Sequence, residues 1–129
     1  MPLVRITQQD VRTPEESRQM ADIVQDVMLE LFAAPPGDRY QILETLPVGS
    51  IIAEDTGLGL ERSDGVVIIH ITQQGRGEEQ KKAIYAALSE RLAAAGLVRE
   101  DDLIVSVVEN GHEDWSFGRG RAQFLTGEL

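Results

Sequence analysis

The sequence predicts an α/β (α+β) protein built from two βαβ units in one mixed sheet. Three observations carry this expectation. Residues 66–71 and 103–108 are short apolar runs, two long stretches carry helical periodicity, and the order strand–helix–strand occurs twice. A chain of 129 residues is the size of one domain, so 1–129 is read as a single unit.

Residues 2–7 alternate weakly and read as a first strand. Thr13-Pro14-Glu15-Glu16 is a capping box with proline at the first helical position, so a helix starts there. Met20, Ile23, Val24, Val27, Met28, Leu31 and Phe32 then form one apolar stripe, which Ala33-Ala34-Pro35-Pro36-Gly37 stops. A second short strand is expected within 38–46 and a further one at 51–53. Gly57-Leu58-Gly59 reads as a hairpin turn, since it lacks the third glycine of a dinucleotide loop. After the strand at 66–71, residues 78–95 read as a helix ended by Gly96, its inward stripe being Ile84, Leu88, Leu92 and Ala95. Residues 103–108 close the second unit, and the segment after Glu109 reads as a tail of short strands or turns.

The runs at 66–71 and 103–108 are apolar on both alternating faces, which predicts a sheet buried on both sides. Two helices cover only one side. Another subunit is the simplest cover for the second, so an obligate oligomer is expected.

Lys and Arg number 12 against 22 Asp and Glu, a formal charge of −10. Such a chain lacks the basic field that nucleic acid or an anionic membrane surface requires. The Arg-Gly pattern of Phe117-Gly118-Arg119-Gly120-Arg121 is therefore not read as an RNA-binding segment. With no cysteine there are no disulfides, thiolate nucleophiles or zinc–thiolate sites, and the two histidines, His70 and His112, form no metal-ligand pair. No metal or organic cofactor is expected. Nothing resembles a membrane span or signal peptide, so a cytoplasmic location is expected.

Among residues able to carry chemistry, Pro2 stands first. Removal of the initiator methionine would expose a secondary amine, whose titration near neutrality small shifts can tune. By position alone it reads first as an ordinary second residue. In Gln73-Gln74-Gly75-Arg76-Gly77 a guanidinium precedes a helix N-terminus, an arrangement suited to a carboxylate, though a solvated loop arginine has the same spacing. Asp38 follows a Pro-Pro-Gly break, where it can orient a water, pair a cation or simply shape a turn. Trp115, Phe117 and Phe124 cluster in the tail, as packing groups or as the wall of a small pocket.

These residues together resemble the tautomerase superfamily, and within it the malonate semialdehyde decarboxylase branch. The resemblance is carried by Met1-Pro2-Leu3, Asp38-Arg39-Tyr40-Gln41-Ile42, residues 54–63, Glu78-Glu79-Gln80-Lys81 and Val108-Glu109-Asn110. Most specific is the tail, residues 114–122 with Phe124-Leu125-Thr126-Gly127. It runs nearly end to end. The resemblance implies a homotrimer and a site in which Pro2 is the catalytic proline, Asp38 the family's aspartate and Arg76 one of two arginines holding a small carboxylate substrate. It also implies a hydrophobic wall of Trp115, Phe117, Phe124 and Leu129. Gln74 stands where the branch carries its other arginine, supplying a hydrogen bond but no charge. The implied reaction is cofactor-independent decarboxylation of a small 3-oxo acid. Two alternatives stay open: a keto–enol tautomerase or hydratase using the same proline as base, and a non-catalytic trimeric binding module if Met1 is retained.

Overall fold

The computed structural model describes residues 2–129; the retention or removal of Met1 lies outside the described residues. Strand β1 (Leu3–Gln9) leads into helix α1 (Pro14–Leu31) and strand β2 (Tyr40–Leu46). Strand β3 (Val67–Gln73), helix α2 (Glu78–Ala94) and strand β4 (Leu103–Glu109) form the second unit. The sheet order is β2-β1-β3-β4, with β1 parallel to β2, β3 parallel to β4 and the two central strands antiparallel. This is the expected pair of βαβ units in one mixed sheet.

Helix α1 starts as its sequence dictates. The Thr13 hydroxyl accepts from the Glu16 amide and the Glu16 carboxylate accepts from the Thr13 amide. Its apolar stripe meets Val4 and Ile6 of β1 and Val67, Ile69 and Ile71 of β3 in one core, which Ile84, Leu88 and Leu92 of α2 complete. Ala95 is exposed, so the buried stripe of α2 stops at Leu92; Gly96, at φ +70°, turns the chain away.

Three local expectations are corrected. Residues 51–53 are not a strand, because the amides of Gly49 and Ile51 both donate to the Gln9 side-chain oxygen instead of to a ladder. Gly57-Leu58-Gly59 is a turn inside a loop, closed by the Asp55 carboxylate accepting from the amides of Gly57 and Gly59, with no flanking strands. The tail holds a 3₁₀ turn at His112–Asp114 and a short helix α3 (Gln123–Thr126) instead of strands.

Both helices cover the same side of the sheet. The other side, bearing Leu3, Ile42, Ile68, Ile104 and Val108, is open in the single chain; Ile42 and Val108 are 42% and 47% exposed. At one end of the sheet Arg12 donates to the carbonyls of Leu97 and Gly65, and buried Asp102 accepts from Ser63. The opposite end, where β1 and β2 begin and β3 and β4 finish, gathers the candidate site.

Candidate active site

Pro2 is buried immediately ahead of Leu3, which pairs with Tyr40 on one side and Thr72 on the other. Asp38 lies two residues before Tyr40 and is only 3% exposed. Burial raises its pKa from the ordinary aspartate value, while Arg76 pulls it back down. Asp38 is thus coupled electrostatically to the guanidinium.

Arg76 is placed by the loop after β3, and it is more constrained than its spacing suggests. Its Nε donates to the Phe32 carbonyl at 2.8 Å, Nη1 to the Gln74 carbonyl at 2.6 Å and Nη2 to the Ala33 carbonyl at 3.3 Å. The guanidinium therefore faces the carbonyl end of α1 from its place just before the α2 N-terminus. Three of its five N–H donors are engaged, leaving two for an anion. Partial burial lowers its pKa and Asp38 opposes the shift. Gln74 contributes its main-chain carbonyl to this clamp, and its side-chain oxygen is buried with no hydrogen-bond partner among the described residues.

The aromatic tail folds back over this end of the sheet. Phe117 stacks with Trp115 at 5.4 Å, meets Phe124 edge-on at 5.6 Å and packs on Tyr40 at 5.4 Å. The Trp115 indole donates to the Asn110 side-chain oxygen at 2.9 Å, and His112 stacks on Phe124 at 4.7 Å. A cavity of about 510 Å³ is lined by Asp38, Tyr40, Phe117 and Leu129 among others. A second, of about 370 Å³, is lined by Leu3, Tyr40, Thr72, Asn110, Trp115 and Phe117. Asp38, Phe117 and Leu129 thus share one cavity and Trp115 joins its neighbour, whereas Pro2, Gln74, Arg76 and Phe124 line neither in the single chain.

Two contributors escaped the sequence reading. Tyr40 borders both cavities and Asn110 holds the indole. Both lie in segments that carry the family resemblance, but neither was singled out as a site residue. Among the described residues no three His, Asp or Glu side chains converge as a metal-binding cluster.

The arrangement offers a buried strand-end proline, a carboxylate raised in pKa, a guanidinium with free donors and an apolar wall. Comparison with known proteins bears on the family. The profile of the family described as "Tautomerase enzyme" matches residues 38–118. Probable tautomerase YrdN of Bacillus subtilis (strain 168) is 43% identical over 129 residues, covering 100% of both chains. Among solved structures, FG41 malonate semialdehyde decarboxylase inhibited by 3-bromopropiolate superposes with a TM-score of 0.94 at 47% identity, covering 98% of this chain and 97% of that one. Another malonate semialdehyde decarboxylase, described as having decarboxylase and hydratase activities, superposes with a TM-score of 0.93 at 40% identity over 98% of each chain. The fold, the strand-end proline and this full-length similarity lead to one assignment: the chain belongs to the tautomerase superfamily.

Proposed function

We propose that this chain decarboxylates a small 3-oxo acid, converting malonate semialdehyde to acetaldehyde and carbon dioxide without a cofactor. The observation carrying the reading is end-to-end similarity, at 47% and 40% identity, to two malonate semialdehyde decarboxylases. In this reading Met1 is removed and Pro2 is the terminal residue. Protonated Pro2 donates a hydrogen bond to the substrate carbonyl oxygen. The bond to the carboxylate carbon breaks, its electron pair flows toward that carbonyl, carbon dioxide leaves, and the resulting enolate takes up a proton. A neutral Pro2 instead attacks the carbonyl, loses water and forms an iminium as electron sink. Arg76, with Gln74, holds the carboxylate so that the breaking bond stands out of the carbonyl plane. Trp115, Phe117, Phe124 and Leu129 wall the site with apolar surface, which favours loss of charge on release of neutral carbon dioxide. Asp38 keeps Pro2 cationic or orients a water.

The same proposal includes a cytoplasmic homotrimer, with the open sheet face as its core; among the described residues no helix is long and apolar enough to cross a membrane. A second reading, proton shuttling or hydration on a 2-oxo acid with neutral Pro2 as base, is favoured by the name of the B. subtilis relative, probable tautomerase. A retained Met1 leaves a third, a trimeric binding module, because an acylated proline nitrogen is neither base nor nucleophile.

The test is incubation of methionine-processed protein with malonate semialdehyde, a 2-hydroxymuconate-type dienol and phenylpyruvate, following carbon dioxide and enol signals separately. Carbon dioxide and acetaldehyde from the first, strongly reduced by Pro2→Ala, are expected. Nitrogen NMR titration of Pro2 well above neutrality fits decarboxylation through the cation, and a value at or below neutrality fits the tautomerase.

A further inference from the structure

On the helix-covered side of β3 the positions 67, 69, 71 and 73 hold Val, Ile, Ile and Gln. Gln73 is as buried as the three apolar residues, at 0% exposure. Its side-chain oxygen accepts from the Arg76 amide at 3.2 Å, while its side-chain nitrogen has no hydrogen-bond partner among the described residues. Burying an unsatisfied donor opposes folding, and an aliphatic side chain continuing this face would avoid it. The amide is thus poorly explained by stability.

Its use lies in the loop. Arg76 sits between Gly75, at φ +72°, and Gly77. Glycine on both sides leaves the backbone there little intrinsic restraint. The Gln73 oxygen ties the Arg76 backbone, and the Gln73 carbonyl accepts from the Asn110 amide at 2.8 Å, anchoring the strand end from which that tie is made. We propose that Gln73 is a positioning residue that holds the Arg76 backbone and so aims the guanidinium at a substrate carboxylate. The aim, though not the tie, rests on Arg76 being the carboxylate grip proposed above.

The test variant is Gln73→Met, close in length and lacking the acceptor. Three measurements are made on the full chain: thermal unfolding, hydrogen exchange of the Arg76 amide, and NMR titration of the Arg76 Nε–H signal with propionate. The unfolding midpoint is expected to stay level or rise, because a buried unsatisfied donor is gone. Arg76 amide exchange quickens about tenfold. The propionate dissociation constant rises about three- to tenfold, as does KM for malonate semialdehyde, with kcat within about twofold. Gln73→Glu, which keeps an acceptor there, restores slow exchange.

Unchanged exchange and propionate affinity in the Met variant overturn the proposal, as do losses that merely track a lower unfolding midpoint. Should that variant not fold, wild-type exchange decides: an Arg76 amide protected relative to Gly75 and Gly77 supports the tie, and equal rates overturn it. Wild type that ignores propionate refutes the carboxylate grip, and the aim with it, while the exchange result still judges the tie.

Discussion

Arg76 and Phe32 meet twice: Nε donates to the Phe32 carbonyl at 2.8 Å, and the guanidinium carbon lies 5.3 Å from the centre of the Phe32 ring. Phe32 caps the carbonyl end of α1, so a residue from the β3–α2 loop closes the helix of the other βαβ unit. One planar cation thereby bridges the two halves of the fold.

A lysine cannot reproduce that fork, because its single ammonium reaches few of the three carbonyls at once. Arg76→Lys is expected to raise KM for a small carboxylate substrate at least about tenfold and to cost about 1–2 kcal/mol of stability. Steady-state kinetics and urea unfolding measure the two effects. A lysine variant with unchanged KM removes the need for a guanidinium.

Asp38 gives the site a pH signature. Burial raises its folded pKa above the 3.8 of an ordinary aspartate. The folded state therefore holds this proton more tightly than the unfolded chain does. The corresponding stability is fully present below the unfolded pKa and is lost as pH rises through the folded one. Relative to Asp38→Asn, wild type should gain stability as the solution is acidified from neutrality through that range. Thermal unfolding of both proteins from pH 7 to pH 3 checks the sign, and carbon NMR of the Asp38 carboxyl gives the midpoint. A difference that shrinks on acidification contradicts the burial argument.

The uncovered side of the sheet predicts association. Leu3, Ile42, Ile68 and Val108 present apolar surface there, and burial recovers about 25 cal/mol per Å². Ile42→Lys places a charge on that face while leaving the helix-side core untouched. Wild type is expected to sediment as a homotrimer and the variant as a 14.2 kDa species. A variant that keeps the wild-type mass moves the subunit contact elsewhere.

The parts that sequence alone revealed were those with local causes. The Thr13–Glu16 box, the stripe from Met20 to Phe32, the weak alternation of β1 and the apolar run of β3 each follow from spacing along the chain. Asp38 was singled out by the Pro-Pro-Gly break before it, Phe117 by the aromatic cluster of the tail and Leu129 by resemblance alone; the three line one cavity. Tertiary partners were not legible. Nothing within residues 73–77 shows that Arg76 will bind the carbonyls of Phe32 and Ala33, some forty residues away in sequence. The apparent strand at 51–53 failed for the same kind of reason, since the Gln9 side chain takes the amide hydrogen bonds a ladder would use.

Gln74 marks the departure from a two-arginine grip. Its side-chain oxygen is buried and lacks a partner among the described residues, so the position already forgoes a hydrogen bond. Gln74→Arg adds a cation beside Arg76 and should lower KM for malonate semialdehyde about three- to tenfold if both side chains hold the carboxylate. Initial-rate kinetics across substrate concentration decide it. No change in KM would mean that residue 74 points away from the substrate.

Trp115 is the chain's one tryptophan, so its surroundings can be read optically. The indole nitrogen donates to Asn110, and the ring lies against Phe117 at an interplanar angle of 9°. Removing the acceptor with Asn110→Ala frees the indole to move off Phe117 and toward water. The lost hydrogen bond is worth about 1 kcal/mol, which lowers the unfolding midpoint of a domain this size by about 3–5 °C. Emission from Trp115 should shift to the red and become more accessible to iodide quenching. Asn110→Asp keeps an acceptor within reach and should retain the wild-type spectrum. If the alanine variant also keeps that spectrum, the stacked aromatic wall holds its shape without the Asn110 bond, and the ring packing of Phe117 and Phe124 is sufficient to set it.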